Sequence, residues 1–140
     1  MKVSKKGIDL IKKFEGYKAS PYICPAGVLT IGHGHTKNVK FGDVCSVTQA
    51  EQYLLEDLEI AEAELNKIPN LSQQQFDALA SFIFNVGIRN FQTSTLRKKV
   101  LADMNDLSIR YEFNRWCIAG GKVSKGLERR RLEEANLYFS

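Results

Sequence analysis

No apolar run in this chain approaches the roughly 20 residues that a membrane-spanning helix needs. The first residues, Met1-Lys2-Val3-Ser4-Lys5-Lys6, are followed by Gly7-Ile8-Asp9-Leu10-Ile11 and then by Lys12-Lys13. Those charges interrupt the segment too early for a signal-peptide core, so no export by a standard leader is expected. Cysteine is sparse and odd in number: Cys24, Cys45 and Cys117, in no metal-type spacing. A fully paired disulfide framework and a zinc cluster are therefore both disfavoured, and three thiols in a reducing compartment are expected. Low-complexity segments, internal repeats and long linkers are also missing, which predicts one domain over residues 1–140. The net charge of +4 points to an anionic partner. It does not choose among nucleic acid, acidic lipid and acidic wall polymer.

What is present divides the chain at about residue 47. Before it, Ser4 can cap a helix on which Ile8, Ile11 and Phe14 recur at helical spacing and which Gly16 stops, leaving Glu15 at its end. Tyr22-Ile23-Cys24 and Val28-Leu29-Thr30-Ile31, on either side of Pro25-Ala26-Gly27, read as a hairpin. After residue 47 the pattern is helical. Thr48 with Glu51, and Ser72 with Gln75, have the spacing of capping boxes, and Leu71 and Phe76 that of a hydrophobic staple. Leu54, Leu58, Ala61, Leu65 and Ile68 form an apolar stripe, with Glu56, Asp57, Glu59, Glu62 and Glu64 expected on a solvated face. Phe76 to Val86 is apolar on most sides and is expected at the centre of a core, ended by Gly87. Further helices are expected at about 94–104, 106–118 and 125–138, the last two parted by a stop at Gly120-Gly121. The fold class implied is α+β: a small β-hairpin lobe (about 1–47) and a larger helical lobe (about 48–140), with a cleft between them as the natural ligand site.

Within that frame, Glu15 is the first residue to carry chemistry. A carboxylate at a helix C-terminus meets the negative end of the macrodipole, and Phe14 beside it can desolvate it. Both effects favour a carboxyl group that keeps its proton, which is what a general acid requires. His33 and His35 offer too few ligands for a metal, and His35 is expected to be a hydrogen-bonded structural histidine. Arg115, Lys122, Lys125, Arg129, Arg130 and Arg131 form a basic set without a recognised nucleic-acid motif, and some are expected to pair with Glu128, Glu133 and Glu134 on one helix.

The spacing Glu15, eight residues, Cys24, five residues, Thr30, with Thr30-Ile31-Gly32-His33-Gly34-His35 as strand and turn, resembles the phage-type lysozymes. Ser81-Phe82-Ile83-Phe84-Asn85-Val86-Gly87, Ser94-Thr95-Leu96, Phe113-Asn114-Arg115-Trp116 and Gly126-Leu127-Glu128-Arg129-Arg130-Arg131 follow in the family's order, so the resemblance covers nearly the whole chain. It implies hydrolysis of the β-1,4 bond between N-acetylmuramic acid and N-acetylglucosamine in peptidoglycan, with no metal or organic cofactor, and lysis of a bacterial host. Glu15 would protonate the departing oxygen, and Thr30 would hold a water or the reacting sugar. Cys24 stands where many members carry Asp. As a neutral thiol, with an ordinary pKa of about 8.5, it is a poor base; as a thiolate, with its pKa lowered by Lys18 or another positive group, it could attack directly. The stereochemical outcome is open. Thr36, Phe84 and Asn85 are the implied sugar contacts, and Thr95 is a weaker one. A holin-type pore for access to the wall, a monomeric state and residence in the host cytoplasm until release are implied as well. A disulfide between Cys24 and Cys45 would switch such an enzyme off. The rival readings are a non-catalytic peptidoglycan-binding or inhibitory module on the same fold and a basic nucleic-acid binder, which steep salt dependence would reveal.

Overall fold

A computed structural model describes residues 1–140. The elements, in chain order, are α1 (Lys5–Glu15), β1 (Lys18–Ile23), β2 (Leu29–Gly32), α2 (Val47–Leu65), α3 (Gln73–Val86), α4 (Ile88–Gln92), α5 (Thr95–Ala102), α6 (Ile109–Asn114), β3 (Ile118–Ala119), β4 (Lys122–Val123) and α7 (Lys125–Tyr138). No helix is long and apolar enough to cross a membrane. The chain forms two compact units, residues 9–59 and residues 1–8 with 60–140.

In the unit of residues 9–59, β1 and β2 form an antiparallel hairpin in which Tyr22 lies opposite Thr30 and Ile23 opposite Leu29. The register slips between Lys18 and Tyr22. Pro21 falls in that irregular stretch, where its missing N–H removes no ladder hydrogen bond. The turn closes through Cys24 N–H to Val28 O (3.0 Å) and Gly27 N–H to Cys24 O (2.8 Å), with Gly27 at φ +80° as the expected turn glycine. Behind the hairpin, Ile31, Cys45 and Ala50 form a small buried cluster against Val39 and Tyr53. α2 begins two residues earlier than the Thr48–Glu51 box predicts, at Val47. Ser46 is the residue whose hydroxyl accepts from an N-terminal amide, that of Gln49 (3.0 Å).

The other unit has its core around α3. Phe76, Ala78, Leu79, Ala80, Phe82 and Ile83 are all buried. The Phe82 ring meets Phe113 and Trp116 edge-on, each at 5.6 Å between centroids, geometry that aromatic quadrupoles favour. The capping box on Ser72 is complete, with both reciprocal hydrogen bonds to Gln75. Ser4 does not cap α1 through its side chain. Its hydroxyl donates to Asp77 instead, as does its amide (2.9 Å).

Several expectations are corrected in this unit. α6 covers only Ile109–Asn114: it starts late because Asp103 and Asp106 turn their carboxylates onto the backbone amides of Asn105 and Ser108 (3.0 and 2.9 Å), which competes with helix, and it ends before the strand β3. Gly120-Gly121 is the turn of the hairpin β3–β4 rather than a plain helix stop. Both glycines have positive φ, as a two-residue hairpin turn demands. The acidic run on α2 is only partly solvated. Glu62 accepts from the Val3 amide (2.8 Å), and buried Glu64 pairs with Lys67 and Arg97. The basic set is also divided. Arg130 and Arg131 are buried, and both pair with Glu134, which has no exposed surface. Arg115 pairs with Glu112 across one helical turn (2.9 Å).

Candidate active site

The residues with chemistry in the 9–59 unit are carried on the end of one helix and the two arms of one hairpin. Glu15 is the last residue of α1 and is partly exposed. Gly16 follows with φ +70°, and its amide closes the helix on Lys12 O (2.9 Å). That is the left-handed C-terminal stop that glycine allows without a Cβ clash. Three further ties hold this corner. Lys12 ion-pairs with Glu51 of α2. The Tyr17 hydroxyl donates to Cys45 O. The ring of buried His33 bonds Gly16 O through Nδ1.

Cys24 sits at the start of the hairpin turn, partly exposed. Its thiol is held below the ordinary thiol range, first by hydrogen bonding from the Val28 backbone and then from the Thr30 side chain, with smaller help from the Ala26 backbone and its own; partial burial opposes them. These donors are neutral dipoles, so the positive neighbour such as Lys18 that the sequence invited is not the cause. Amide and hydroxyl donors stabilise a thiolate in the same way as a charge does, through the charged form. The Thr30 hydroxyl has one proton and two destinations. It donates to Val28 O at 2.9 Å, so a bond to the Cys24 sulfur requires that proton to rotate from carbonyl to thiolate.

Tyr22 joins the group. Burial first, then the charge of Glu15, then that of Cys24, push its phenol up. Tyr22 is therefore an electrostatic neighbour of both Glu15 and Cys24, and it lies directly opposite Thr30 in the hairpin. Glu15, Tyr22, Cys24 and Thr30 thus form one neighbourhood. Tyr22 was not singled out by the sequence, although the signal was there: two residues before Cys24 on a strand is the same face.

The remaining expected residues are carried by other segments of the chain. Thr36 is exposed in the turn after His35. Phe84 and Asn85 belong to the other unit, near the end of α3, half-buried and exposed respectively, and the Asn85 carbonyl accepts from Arg131. Thr95 opens α5 and is exposed. His35 is structural, as expected: Nδ1 is 2.8 Å from Asp57, and the ring stacks on Tyr53 at 4.0 Å. The oxidative tie between Cys24 and Cys45 does not fit the hairpin. The Cys45 amide bonds Ala19 O (2.8 Å). Ala19 is five strand steps from Cys24, on the order of 15 Å at about 3.3 Å each, whereas a disulfide needs Cα atoms within about 7 Å. All three cysteines are free.

Comparison with known proteins gives this arrangement its context. Residues 12–134 match the family model described as phage lysozyme. The chain is 43% identical to the endolysin of Acyrthosiphon pisum secondary endosymbiont phage 1, over 100% of this chain and 99% of that protein. Among solved structures, the endolysin from Escherichia coli O157:H7 phage FAHEc1 superposes with a TM-score of 0.89 at 39% identity, covering 100% of this chain and 94% of that one. The muramidase domain of SpmX from Asticaccaulis excentricus also gives a TM-score of 0.89, at 34% identity, covering 99% and 98%. The α+β architecture is accordingly the lysozyme-like one, and the chain belongs to the phage lysozyme family.

Proposed function

We propose that Glu15, Cys24 and Thr30 divide the chemistry of glycan cleavage among them, with Tyr22 as their close neighbour. As a phage lysozyme the protein is a peptidoglycan-hydrolysing endolysin, a muramidase that needs a proton donor, a stabiliser of positive charge and a placed water. Glu15 gives its proton to the glycosidic oxygen as the bond from that oxygen to the anomeric carbon breaks. Positive charge then grows on the sugar ring. Cys24, as a thiolate, faces that charge in the position where many members carry Asp. A water held by the Thr30 hydroxyl adds to the anomeric carbon, and its proton passes to the Cys24 sulfur. A base works best when its pKa lies near the working pH, and the lowering of the Cys24 thiol moves it in that direction. Glu15 recovers its proton from solvent and Cys24 loses one to it. The bonds formed are C–O to water and O–H on the leaving sugar, and the outcome is inversion.

The observation that carries this reading is the hairpin register, which sets Tyr22 opposite Thr30 and ties Cys24 into the turn between them, with the charges of Glu15 and Cys24 both acting on Tyr22. Thr36, Phe84 and Asn85 are assigned to the sugar strand outside the reacting bond. An aromatic face stacks on a pyranose ring, and an amide bonds an acetamido group. The same reading makes the protein a monomer, held in the host cytoplasm and released to the wall through a holin-type pore.

The test is digestion of purified peptidoglycan, with mass analysis of the new ends and NMR of the first-formed anomer. Reducing muramic ends with inverted configuration support the scheme. A retained anomer with a sugar adduct on Cys24 would make the thiolate a nucleophile instead. Anhydro ends would make the enzyme a transglycosylase.

A further inference from the structure

We propose that His33 is a positioning residue for Glu15, acting through the carbonyl of Gly16. The inference rests on the reading of Glu15 as the acid. His33 is 7% exposed, and its Nδ1 bonds Gly16 O, in the residue directly after Glu15. A carbonyl oxygen only accepts, so Nδ1 carries the proton. Nε2 is left buried without a hydrogen-bond partner. A polar ring sunk in the interior for the sake of one bond marks a position where geometry is held at a cost.

The geometry being held is that of the catalytic corner. α1 ends at Glu15, and Gly16 turns the chain into the left-handed region. Glycine accepts that conformation without strain and is not held there by side-chain packing of its own, so its place depends on its backbone hydrogen bonds. The amide of Gly16 is fixed to Lys12 O and its carbonyl to His33. With both ends of that residue tied, the last turn of α1 cannot fray, and the acid stays at a constant offset from the hairpin. His33 itself lies three residues after Thr30, in the turn that directly follows β2. One bond thus couples the acid's helix to the strand that bears the hydroxyl. The Tyr17 ring, 5.8 Å from the imidazole, closes the other side.

The experiment compares five proteins on fluorescently labelled soluble peptidoglycan: the parent, His33→Phe, His33→Asn, Glu15→Gln, and His33→Phe combined with Glu15→Gln. Phenylalanine keeps the ring and loses the donor. Asparagine keeps a donor at the place of Nδ1. A misplacement of the acid by about 1 Å costs about a hundredfold. The expected result is a fall in kcat of about ten- to a hundredfold for His33→Phe with KM unchanged, and recovery to within about threefold of the parent in His33→Asn. Glu15→Gln has no acid left to misplace, so adding His33→Phe to it should lower the residual rate no further. The fold is followed by circular dichroism, and rates are referred to folded protein. A full kcat in His33→Phe, an equal loss in the Glu15→Gln background, or a change confined to KM would overturn the positioning role while leaving Glu15 as the acid. Parental kcat in Glu15→Gln alone would overturn the acid and the positioning role together.

Discussion

Glu15 and Glu134 are both carboxylates on helices, and the two units treat them in opposite ways. Glu134 is fully buried, with Arg130 and Arg131 at 3.2 and 3.0 Å and the Ser81 hydroxyl donating at 2.6 Å. Burial pushes its pKa up, and the two guanidinium groups pull against that push. Glu15 stays at the surface end of α1, within electrostatic reach of the Tyr22 phenol, which stands opposite Thr30 on the hairpin that leads into Cys24. In the first case the charge is surrounded by groups that hold it still, and it helps fix how α7 packs on α3. In the second the acid borders groups whose protons can move. A buried charge cluster serves packing; a half-exposed one between a helix end and a hairpin can serve turnover.

The comparison breaks most visibly under Glu15→Gln. This change removes the proton donor and keeps the shape, so wall clearing should fall by about a thousandfold. Thermal unfolding should stay within about 0.5 kcal/mol of the parent, the usual range for a surface change. Next in size is Glu134→Ala. It strands two buried guanidinium groups, and breaking one side of a buried pair costs about 3–5 kcal/mol. Urea unfolding should show that loss, while molecules still folded clear the wall at a near-parental rate. If Glu134→Ala spared stability, or Glu15→Gln lowered it by several kcal/mol, the contrast between the two carboxylates would be lost.

Cys24 tests the proton-moving side more finely. Replacement by Ala should lower kcat about a hundredfold, within the range for a general base. The pH dependence follows from the direction of its shift. A lowered thiol pKa means the thiolate is filled at lower pH than in the unfolded chain. Iodoacetamide trapping of Cys24 should therefore accelerate with a midpoint below that of the same cysteine in urea. The rate of wall hydrolysis should rise with pH through that folded-state midpoint and lose this limb in Cys24→Ala. Thr30→Val removes one of the thiolate's donors, so it should move the trapping midpoint upward. An unmoved midpoint would mean that the backbone donors set it without Thr30.

Much of this was legible in the sequence, for reasons that differ by residue. Phe82 and Leu79 announced a buried helix because apolar residues filled most of its sides. Pro25-Ala26-Gly27 announced the hairpin turn because glycine alone accepts positive φ freely. Glu15, Cys24 and Thr30 could be selected because their spacing resembles that of the phage-type lysozymes. The pairing of Tyr22 with Thr30 could not, because register depends on the slip around Pro21. The burial of Arg130 and Arg131 was hidden for another reason. Their pairing with Glu134 was legible, but an ion pair within one helix reads as solvated, and what buries this one includes Ser81, whose hydroxyl donates to Glu134 from 53 residues away in sequence. The late start of α6 was likewise set by side-chain turns at Asp103 and Asp106, which local propensity alone does not rank against helix.

The smallest effect compares how each unit starts its principal helix. α3 begins with a reciprocal box: the Ser72 hydroxyl accepts from Gln75 N–H (3.1 Å), and the Gln75 side chain accepts from Ser72 N–H (3.0 Å). α2 begins with a single side-chain cap, Ser46 accepting from Gln49 N–H (3.0 Å). Removing a cap hydroxyl costs about 0.5–2 kcal/mol. Ser72→Ala should fall near the upper end, because loss of the hydroxyl also loosens the Gln75 side chain that answers it, and because α3 is the buried axis of its unit. Ser46→Ala should fall near the lower end, since the first residues of α2 are exposed and water can replace the lost acceptor. Urea denaturation of the two variants side by side measures the difference directly. Equal losses would mean that the reciprocal bond adds nothing, and that these two helix starts are energetically alike despite their different surroundings.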